Sequence, residues 1–342
     1  MGHQIHNISN NSTFTSEQDE PVLQAALRNG HLYPYGCQSG ACGACKARLV
    51  SGSVHHLRRN PAVLSDQELE QGLCLLCQAI PEGDIEIEVQ EIARAKEIEI
   101  KTLPTRIRQK ELLCDDVVRI FLSLPSTQKF EYLPGQYINI LLKDGRERAF
   151  SIANTPDSAA ENGLELHIRI VPGGLYSPQV KDALQVKDIV RIQGPFGTYF
   201  LRKEEPRPIV MVAGGTGFAP VKGLIEDAIE AGFDQGITLY WGARTQKDLY
   251  LDDLARTWAD SLPGFSYIPV LSDSSEDSDW QGRTGFVHQA IAEDISDAAD
   301  LSVYASGPPV MVDAVRDTLL ERGLENDFFY SDAFDYAAAN EK

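Results

Sequence analysis

Tyr35-Gly36-Cys37-Gln38-Ser39-Gly40-Ala41-Cys42-Gly43-Ala44-Cys45-Lys46 is the stretch that decides how this chain folds and what it carries. Its three cysteines stand as Cys-x4-Cys-x2-Cys, and Cys74 and Cys77 follow after a long gap. That spacing is one that thiolates use to hold a [2Fe–2S] cluster. Between the cysteines nearly every residue is Gly, Ala or Ser. A loop wrapped round an iron–sulfur rhomb needs this composition, because its backbone N–H groups must point at the sulfurs and bulky side chains would block the approach. A cluster makes the chain an electron carrier, and the remaining sequence must then supply a source and an outlet for electrons.

Zinc is the rival occupant. Cys42 with Cys45 and Cys74 with Cys77 form two Cys-x2-Cys pairs, a pattern that binds structural zinc. The 28 residues between the pairs exceed the usual ribbon spacing, and zinc leaves Cys37 and its small-residue loop unexplained. Spacing alone leaves open which of Cys74 and Cys77 completes the cluster set; Cys74 sits in an apolar run. Six cysteines in 342 residues do not make a disulfide scaffold. Cys114 stands apart and reads as a buried small residue in a strand.

Composition narrows the rest. Hydrophobic residues make up 43% of the chain, enough for a sizeable core in two or three domains. No apolar run approaches the roughly 18 residues of a membrane span. Met1 to Thr15 is polar, with neither a basic nor an apolar leader region, so a cytoplasmic chain with no membrane part is expected. Fifty acidic residues against 31 Lys and Arg give a net charge of −19. That balance argues against nucleic-acid binding and suits steering toward a basic patch on a protein partner. His55-His56 lies in a polar stretch without ligand spacing and reads as a solvated turn, so hydrolase and metal-acid chemistry have no support.

Three stretches differ in pattern. Residues 1–95 hold five of the six cysteines, a short helix over Pro21 to Leu27, and a strictly alternating strand, Ile85-Glu86-Ile87-Glu88-Val89. Glu91 to Lys101 reads as a linker. Residues 103–204 carry strand-like runs at Val117 to Leu124, Tyr137 to Leu142, Leu164 to Val171 and Ile189 to Gln193, separated by Gly and Pro turns, which predicts a small antiparallel barrel. Residues 207–342 alternate apolar strands (Pro208 to Ala213, Ile237 to Trp241, Phe265 to Val270, Leu301 to Ala305) with helical stretches, which predicts a parallel α/β sheet. Asp273 to Asp279 reads as a solvated loop.

Two segments look like cofactor sites. Arg148-Ala149-Phe150-Ser151 offers a cation for a pyrophosphate, an aromatic face for a flavin ring and a hydroxyl for its reactive nitrogen. Ala213-Gly214-Gly215-Thr216-Gly217-Phe218-Ala219-Pro220 joins an apolar strand to a helix expected from Pro220, and its glycines let backbone approach a dinucleotide pyrophosphate at the helix N-terminus.

Pro134-Gly135-Gln136-Tyr137, Arg148-Ala149-Phe150-Ser151, Pro172-Gly173-Gly174-Leu175-Tyr176-Ser177, Gly214-Gly215-Thr216-Gly217 with Pro220, and Ser306-Gly307-Pro308-Pro309-Val310-Met311 resemble, in order, the motifs of the ferredoxin–NADP reductase superfamily. The resemblance implies a multidomain chain: a β-grasp plant-type ferredoxin domain, an antiparallel β-barrel FAD domain and an α/β parallel-sheet NAD(P) domain. It implies that Arg148, Phe150 and Ser151 bind FAD, with Gly173, Gly174 and Ser177 near the flavin pyrophosphate. Phe150 replaces the usual Tyr, which keeps stacking and loses a phenolic hydrogen bond. It assigns Gly214, Gly215, Thr216, Gly217, Pro220, Arg244, Gly307 and Pro308 to the nicotinamide nucleotide. Ser306 stands where the family has Cys. Phe334 would cover the flavin until the nicotinamide displaces it. Catalytic roles fall to Ser151, Ser306 and Phe334. Gly72, followed five residues later by Cys77 and nine later by Pro81, resembles the plant-type ferredoxin segment and selects Cys77 as the fourth iron ligand with Cys37, Cys42 and Cys45.

The domain order is similar to that of phenol and methane monooxygenase reductases, and the cysteine-loop wording leans toward the CDP-6-deoxy-Δ3,4-glucoseen reductases of dideoxysugar synthesis. The resemblance therefore implies electron flow from NADH, with NADPH as the alternative donor, through FAD and a [2Fe–2S] cluster to a separate terminal oxygenase or dehydratase. The chain is expected to be monomeric when free. A stand-alone flavin or ferric reductase with no dedicated partner is the alternative reading.

Overall fold

The computed structural model describes residues 2–57, 63–92, 98–174, 176–273 and 279–334. They form two compact units. One takes in residues 1–98 with Gly197–Tyr199; the other takes in 99–196 and 200–342. The middle of the expected linker (93–97), most of the expected loop after Asp273, Leu175 and the tail beyond Phe334 lie outside the described residues.

The first unit runs β1 (Gln4–Asn7), β2 (Ser12–Thr15), α1 (Val22–Arg28), β3 (Lys46–Ser51), β4 (Val54–His56), α2 (Asp66–Glu70), β5 (Leu73–Leu75), β6 (Ala79–Pro81) and β7 (Ile85–Glu88). Its five-stranded sheet has the order β2-β1-β7-β3-β5, with β1 parallel to β7 and the other pairs antiparallel. This is the β-grasp arrangement. Helix α1 starts after Pro21, whose fixed φ suits a helix entry, and buries Val22, Leu23, Ala25 and Ala26. In β7, Ile85 and Ile87 point inward while Glu86 and Glu88 do not, as strict alternation requires. His55 and His56 lie in β4, paired with β6, rather than in a turn. His56 Nε2 accepts the Leu75 N–H at 3.2 Å.

The second unit holds two sheets. β8 (Lys101–Cys114), β9 (Val117–Ser123), β10 (Tyr137–Leu141), β11 (Glu147–Ser151), α3 (Pro156–Asn162), β12 (Leu164–Arg169), α4 (Ser177–Asp182) and β13 (Ile189–Phe196) come first. The strand order is β11-β10-β13-β8-β9-β12, antiparallel throughout. An Ile152–Leu166 bridge joins the end of β11 to β12 and closes the sheet into a barrel. Its core packs Leu103, Ile107, Ile120, Ile138, Leu166 and Ile192. Strand β8 had no counterpart in the sequence reading. Only Leu103, Thr105 and Ile107 of it are buried, and its charged positions mask the alternation. Cys114 ends β8 half-buried, not buried.

Then follow β14 (Ile209–Gly214), α5 (Phe218–Glu230), β15 (Ile237–Ala243), α6 (Asp252–Ser261), β16 (Phe265–Leu271), β17 (Arg283–Thr284), α7 (Val287–Asp294), β18 (Ser302–Gly307), α8 (Pro309–Leu320) and β19 (Phe329–Ala333). All pairs in the order β17-β16-β15-β14-β18-β19 are parallel. Every residue of β14 and β18 is buried; β14 accordingly reads as an unbroken apolar run, whereas β18 carries the buried Ser302 and Ser306. The chain lays strands to one side of β14 and then returns to the other, which makes β14/β18 the switch point where open α/β sheets bind ligands. Helix α5 begins at Phe218, behind a 3₁₀ turn over Gly215–Gly217, so Pro220 sits inside its first turn rather than at its start. Among the described residues no helix is long and apolar enough to cross a membrane.

Candidate functional site

In the cysteine loop, Gln38, Gly40 and Gly43 take φ of 56°, 82° and 73°, which turns successive N–H groups inward. The Ser39 and Ala41 N–H groups donate to Cys37 Sγ at 3.4 and 3.3 Å, and the Cys37 N–H donates to Cys42 Sγ at 3.4 Å. Cys42, Cys45 and Cys77 are buried and Cys37 is half-buried. The sulfurs stand in two pairs, Cys37 with Cys42 and Cys45 with Cys77. Within each pair one thiol is stabilised as thiolate by its partner. The hydrogen bond from Cys42, opposed by burial, holds Cys37 down to about 5. The bond from Cys45 likewise lowers Cys77, and the partners Cys42 and Cys45 are raised. Cys74 takes no part: burial alone pushes its thiol up to about 12.

Two pairs suit a binuclear rhomb, in which each metal takes two thiolates, whereas one zinc gathers four donors at a point. Among the described residues no group of three or more His, Cys, Asp or Glu side chains gathers round a single ion position.

In the second unit, β11 delivers Arg148, Phe150 and Ser151. The Arg148 guanidinium donates to the Glu147 carbonyl at 2.7 Å. Phe150 packs against Tyr176, ring centroids 6.0 Å apart. The Tyr176 hydroxyl is buried without a hydrogen-bond partner, and burial pushes it up. Gly173 has φ 74° and open space beside its Cα; a Cβ on Gly174 would meet the Val171 carbonyl at 2.9 Å. Ser177 Oγ accepts the Val171 N–H at 3.0 Å.

The expected catalytic residues converge on a residue that sequence reasoning passed over. Ser151 Oγ donates to Asp332 Oδ2 at 2.9 Å. Ser306 Oγ, fully buried, donates to the Asp332 carbonyl at 3.0 Å. The Phe334 N–H donates to the Gly307 carbonyl at 3.1 Å. Asp332 thus ties β11, β18 and β19 together. Its only sequence signal was its place two residues before Phe334.

The glycines of the β14 turn do different jobs. A Cβ on Gly217 would lie 2.1 Å from the Ser306 carbonyl oxygen, and one on Gly307 would lie 3.0 Å from Gly214 Cα. These two let the β14 and β18 turns touch. Gly215 has φ 53° and faces Arg169 Nη2, and its carbonyl accepts the Trp241 indole N–H at 3.2 Å. Phe218 stacks on Trp241 at 3.8 Å, which locks the turn to β15. Thr216 and Pro220 are buried beneath it.

A cavity of about 250 Å³ opens at the strand C-terminal ends, lined among others by Arg169, Gly215, Arg244, Phe286, Pro308 and Met311. Arg169 and Phe286 were not singled out from the sequence. Arg169 donates to Asp116 Oδ2 at 2.9 Å, while its Nε is buried without a partner. Phe286 is 60% exposed, an apolar ring on the rim. Asp248 also lines the cavity and accepts the Thr245 N–H at 3.0 Å. A wider recess of about 520 Å³ along Gln246–Leu254 contains none of the turn residues.

Comparison with known proteins gives three family matches in series: the 2Fe-2S iron-sulfur cluster binding domain over residues 6–82, the oxidoreductase FAD-binding domain over 104–200, and the oxidoreductase NAD-binding domain over 211–317. The chain is 39% identical over 321 residues to the CDP-6-deoxy-L-threo-D-glycero-4-hexulose-3-dehydrase reductase of Yersinia pestis, covering 94% of this chain and 95% of that one. It is 33% identical to the reductase component 2 of terephthalate 1,2-dioxygenase from Comamonas, covering 98% of each. The crystal structure of the Amycolatopsis cytochrome P450 reductase GcoB superposes with a TM-score of 0.76 at 31% identity, over 97% of this chain and 98% of that one.

Proposed function

Because the chain belongs to the family of oxidoreductases that join a 2Fe–2S cluster binding domain to FAD-binding and NAD-binding domains, we propose that it draws electrons from NADH and delivers them singly to a separate terminal dehydratase or oxygenase. The observation that carries this reading is the gathering of Ser151, Ser306 and the Phe334 segment round Asp332, directly against the Gly214–Gly217 turn. When bound, the flavin and the cluster convert a two-electron hydride donor into a one-electron outlet.

The chain's own residues divide the work. Phe150, backed by Tyr176, is the aromatic wall for the flavin ring, and Arg148 is the cation for its phosphates. Ser151, held by Asp332, presents its hydroxyl to the reactive face. Ser306 spends its hydroxyl on the Asp332 backbone, so it acts by holding β18 to β19 rather than by reaching the nicotinamide. Phe334 covers the site until the nicotinamide enters. Arg169, the Gly215 turn and the N-terminus of the 13-residue helix α5 receive the pyrophosphate. Arg244 and Phe286 take the adenosine end, the ring offering a flat apolar face. Asp248 on the same rim would repel a 2′-phosphate, which favours NADH over NADPH. Cys37 with Cys42 and Cys45 with Cys77 would hold the cluster, and Cys74 stays in the core. A cysteine set given to iron rather than to disulfides fits a cytoplasmic setting.

Anaerobic titration tests the reading. NADH should bleach the flavin absorbance and then produce the rhombic EPR signal of a reduced [2Fe–2S] cluster, with kcat/KM for NADH at least about tenfold above that for NADPH. Delivery to the cognate acceptor should weaken as salt rises. Free-flavin reduction that no added acceptor accelerates and salt leaves unchanged would favour the stand-alone reductase instead.

A further inference from the structure

Strand β12 is buried on both faces. Leu164, Leu166 and Ile168 enter the barrel core with no exposed surface. Glu165, His167 and Arg169 alternate with them and share the opposite face. At its first two positions that face does not meet water: Glu165 is 3% exposed and His167 5%, and only Arg169, at the cavity, is half-buried. Each of the three meets a different part of the parallel-sheet half. Glu165 Oε2 accepts from Lys222 Nζ, on α5, at 2.9 Å. Lys222 also donates to Glu226 Oε1 at 2.7 Å and to the Ala153 carbonyl, two residues past Ser151, at 3.0 Å. Glu165 Oε1 lies 2.9 Å from His167 Nε2, and His167 Nδ1 lies 3.0 Å from Tyr250 Oη. Arg119 approaches Glu165 Oε1 at 3.6 Å. Arg169 reaches the Gly215 turn. Gly223 brings α5 close, since a Cβ there would lie 3.2 Å from the Ile152 carbonyl.

Buried ion pairs are a poor way merely to glue two surfaces, because desolvation consumes most of the attraction and apolar contacts hold as well. A hydrogen-bonded ionic ladder adds direction: each bond fixes a distance and an angle. The ladder lies between the two cofactor-binding halves, with one end at the segment carrying Ser151 and the other at the helix that begins at the glycine turn. We propose that Lys222, with Glu165 and His167, is a positioning device that holds the nucleotide-binding turn in register with Ser151 and so sets the approach of nicotinamide to flavin. The inference rests on the hydride-transfer reading above.

The test uses the holoenzyme with FAD and cluster, as wild type, as Lys222→Met, and as the double variant Lys222→Met with Glu165→Met. Lys222→Met should slow anaerobic flavin reduction by NADH about 100-fold, the loss expected for a misplacement of about 1 Å. KM should move less than about threefold, because the nucleotide contacts themselves remain. Amide exchange at residues 164–169 and 218–226 should rise at least about tenfold while β13 stays protected. The double variant removes the buried Lys222–Glu165 pair and leaves only the part-exposed Glu226 without its cation, so its melting temperature should rise above that of Lys222→Met while flavin reduction stays slow. If the double variant regains both rate and melting temperature, apolar contact suffices and the positioning role is wrong. Wild-type exchange rates at both segments in the Lys222→Met protein would sink it equally. Should NADH fail to reduce even the wild-type flavin, the functional reading fails instead, and the exchange rates judge the ladder on their own.

Discussion

Gly217→Ala offers the sharpest test of how the β14 turn works. The added methyl would stand 2.1 Å from the Ser306 carbonyl oxygen, 2.5 Å from its carbon and 2.8 Å from the Gly307 nitrogen, where real contacts rarely fall below 3.0 Å. All three are backbone atoms, so no side chain can swing aside. Relieving the overlap requires the β14 turn and the β18 turn to separate by about 0.9 Å. Overpacking of this kind costs about 1–3 kcal/mol of stability, which a domain of this size survives. Function should suffer more. The turn proposed to receive the pyrophosphate would move against Ser306, and a displacement near 1 Å at a hydride-transfer site costs about two orders of magnitude in rate. Stopped-flow reduction of the bound flavin by NADH is the assay, with a thermal melt alongside. The control is Gly145→Ala, in the turn between β10 and β11, where a Cβ meets nothing within 4 Å and only the cost of a positive φ, about 1 kcal/mol, applies. A Gly217→Ala protein that melts near wild type and reduces its flavin within about threefold of the wild-type rate would refute the close-contact argument.

Other perturbations separate the remaining roles. Cys77→Ser should abolish the cluster's visible absorption and EPR signal, whereas Cys74→Ser should keep both, since its sulfur belongs to neither pair; a Cys74→Ser protein without a cluster would reverse the ligand choice. Phe286→Ala should raise KM for NADH up to about tenfold, the value of a lost aromatic contact of about 1.4 kcal/mol. It should leave the reaction with reduced nicotinamide mononucleotide, which lacks adenosine, unchanged; equal losses with both donors would remove Phe286 from the adenosine end. Despite desolvation, which pushes the other way, His167 and Lys222 hold the Glu165 carboxyl down to about 2 from 4.5. Its folded-state pKa is therefore depressed. Its contribution, about 3 kcal/mol at 1.36 per pH unit, is present in full above pH 4.5 and is lost as pH falls toward 2. Glu226, raised by burial, offsets part of that loss. Urea melts across this range should show a shallower fall for Glu165→Gln than for wild type.

Much of the architecture was legible because its signals are local. The Cys-x4-Cys-x2-Cys loop, the apolar run of β14 and the Gly-Gly-Thr-Gly turn each show their chemistry within a dozen residues. Strand β8 was not legible, because its charged positions and its register breaks against β9 hide the period of two. Cysteine spacing alone did not choose between Cys74 and Cys77, which stand three residues apart at the end of the same long gap; the likeness of Gly72, Cys77 and Pro81 to the plant-type ferredoxin segment chose Cys77. Asp332 looked like an ordinary carboxylate until β11 and β18 were brought to it.

The sequence by itself determined the three kinds of domain, their order and the electron-carrying chemistry, because ligand spacing and hydrophobic period are written residue by residue. Only the tertiary structure decided which sulfurs pair, which glycines serve backbone contact rather than a ligand, and what covers the polar face of β12. The physical reason is the same for all three. Alternation in Leu164-Glu165-Leu166-His167-Ile168-Arg169 states that a strand has two unlike faces, but what lies against the second face, water or Lys222, is set by residues more than fifty positions away.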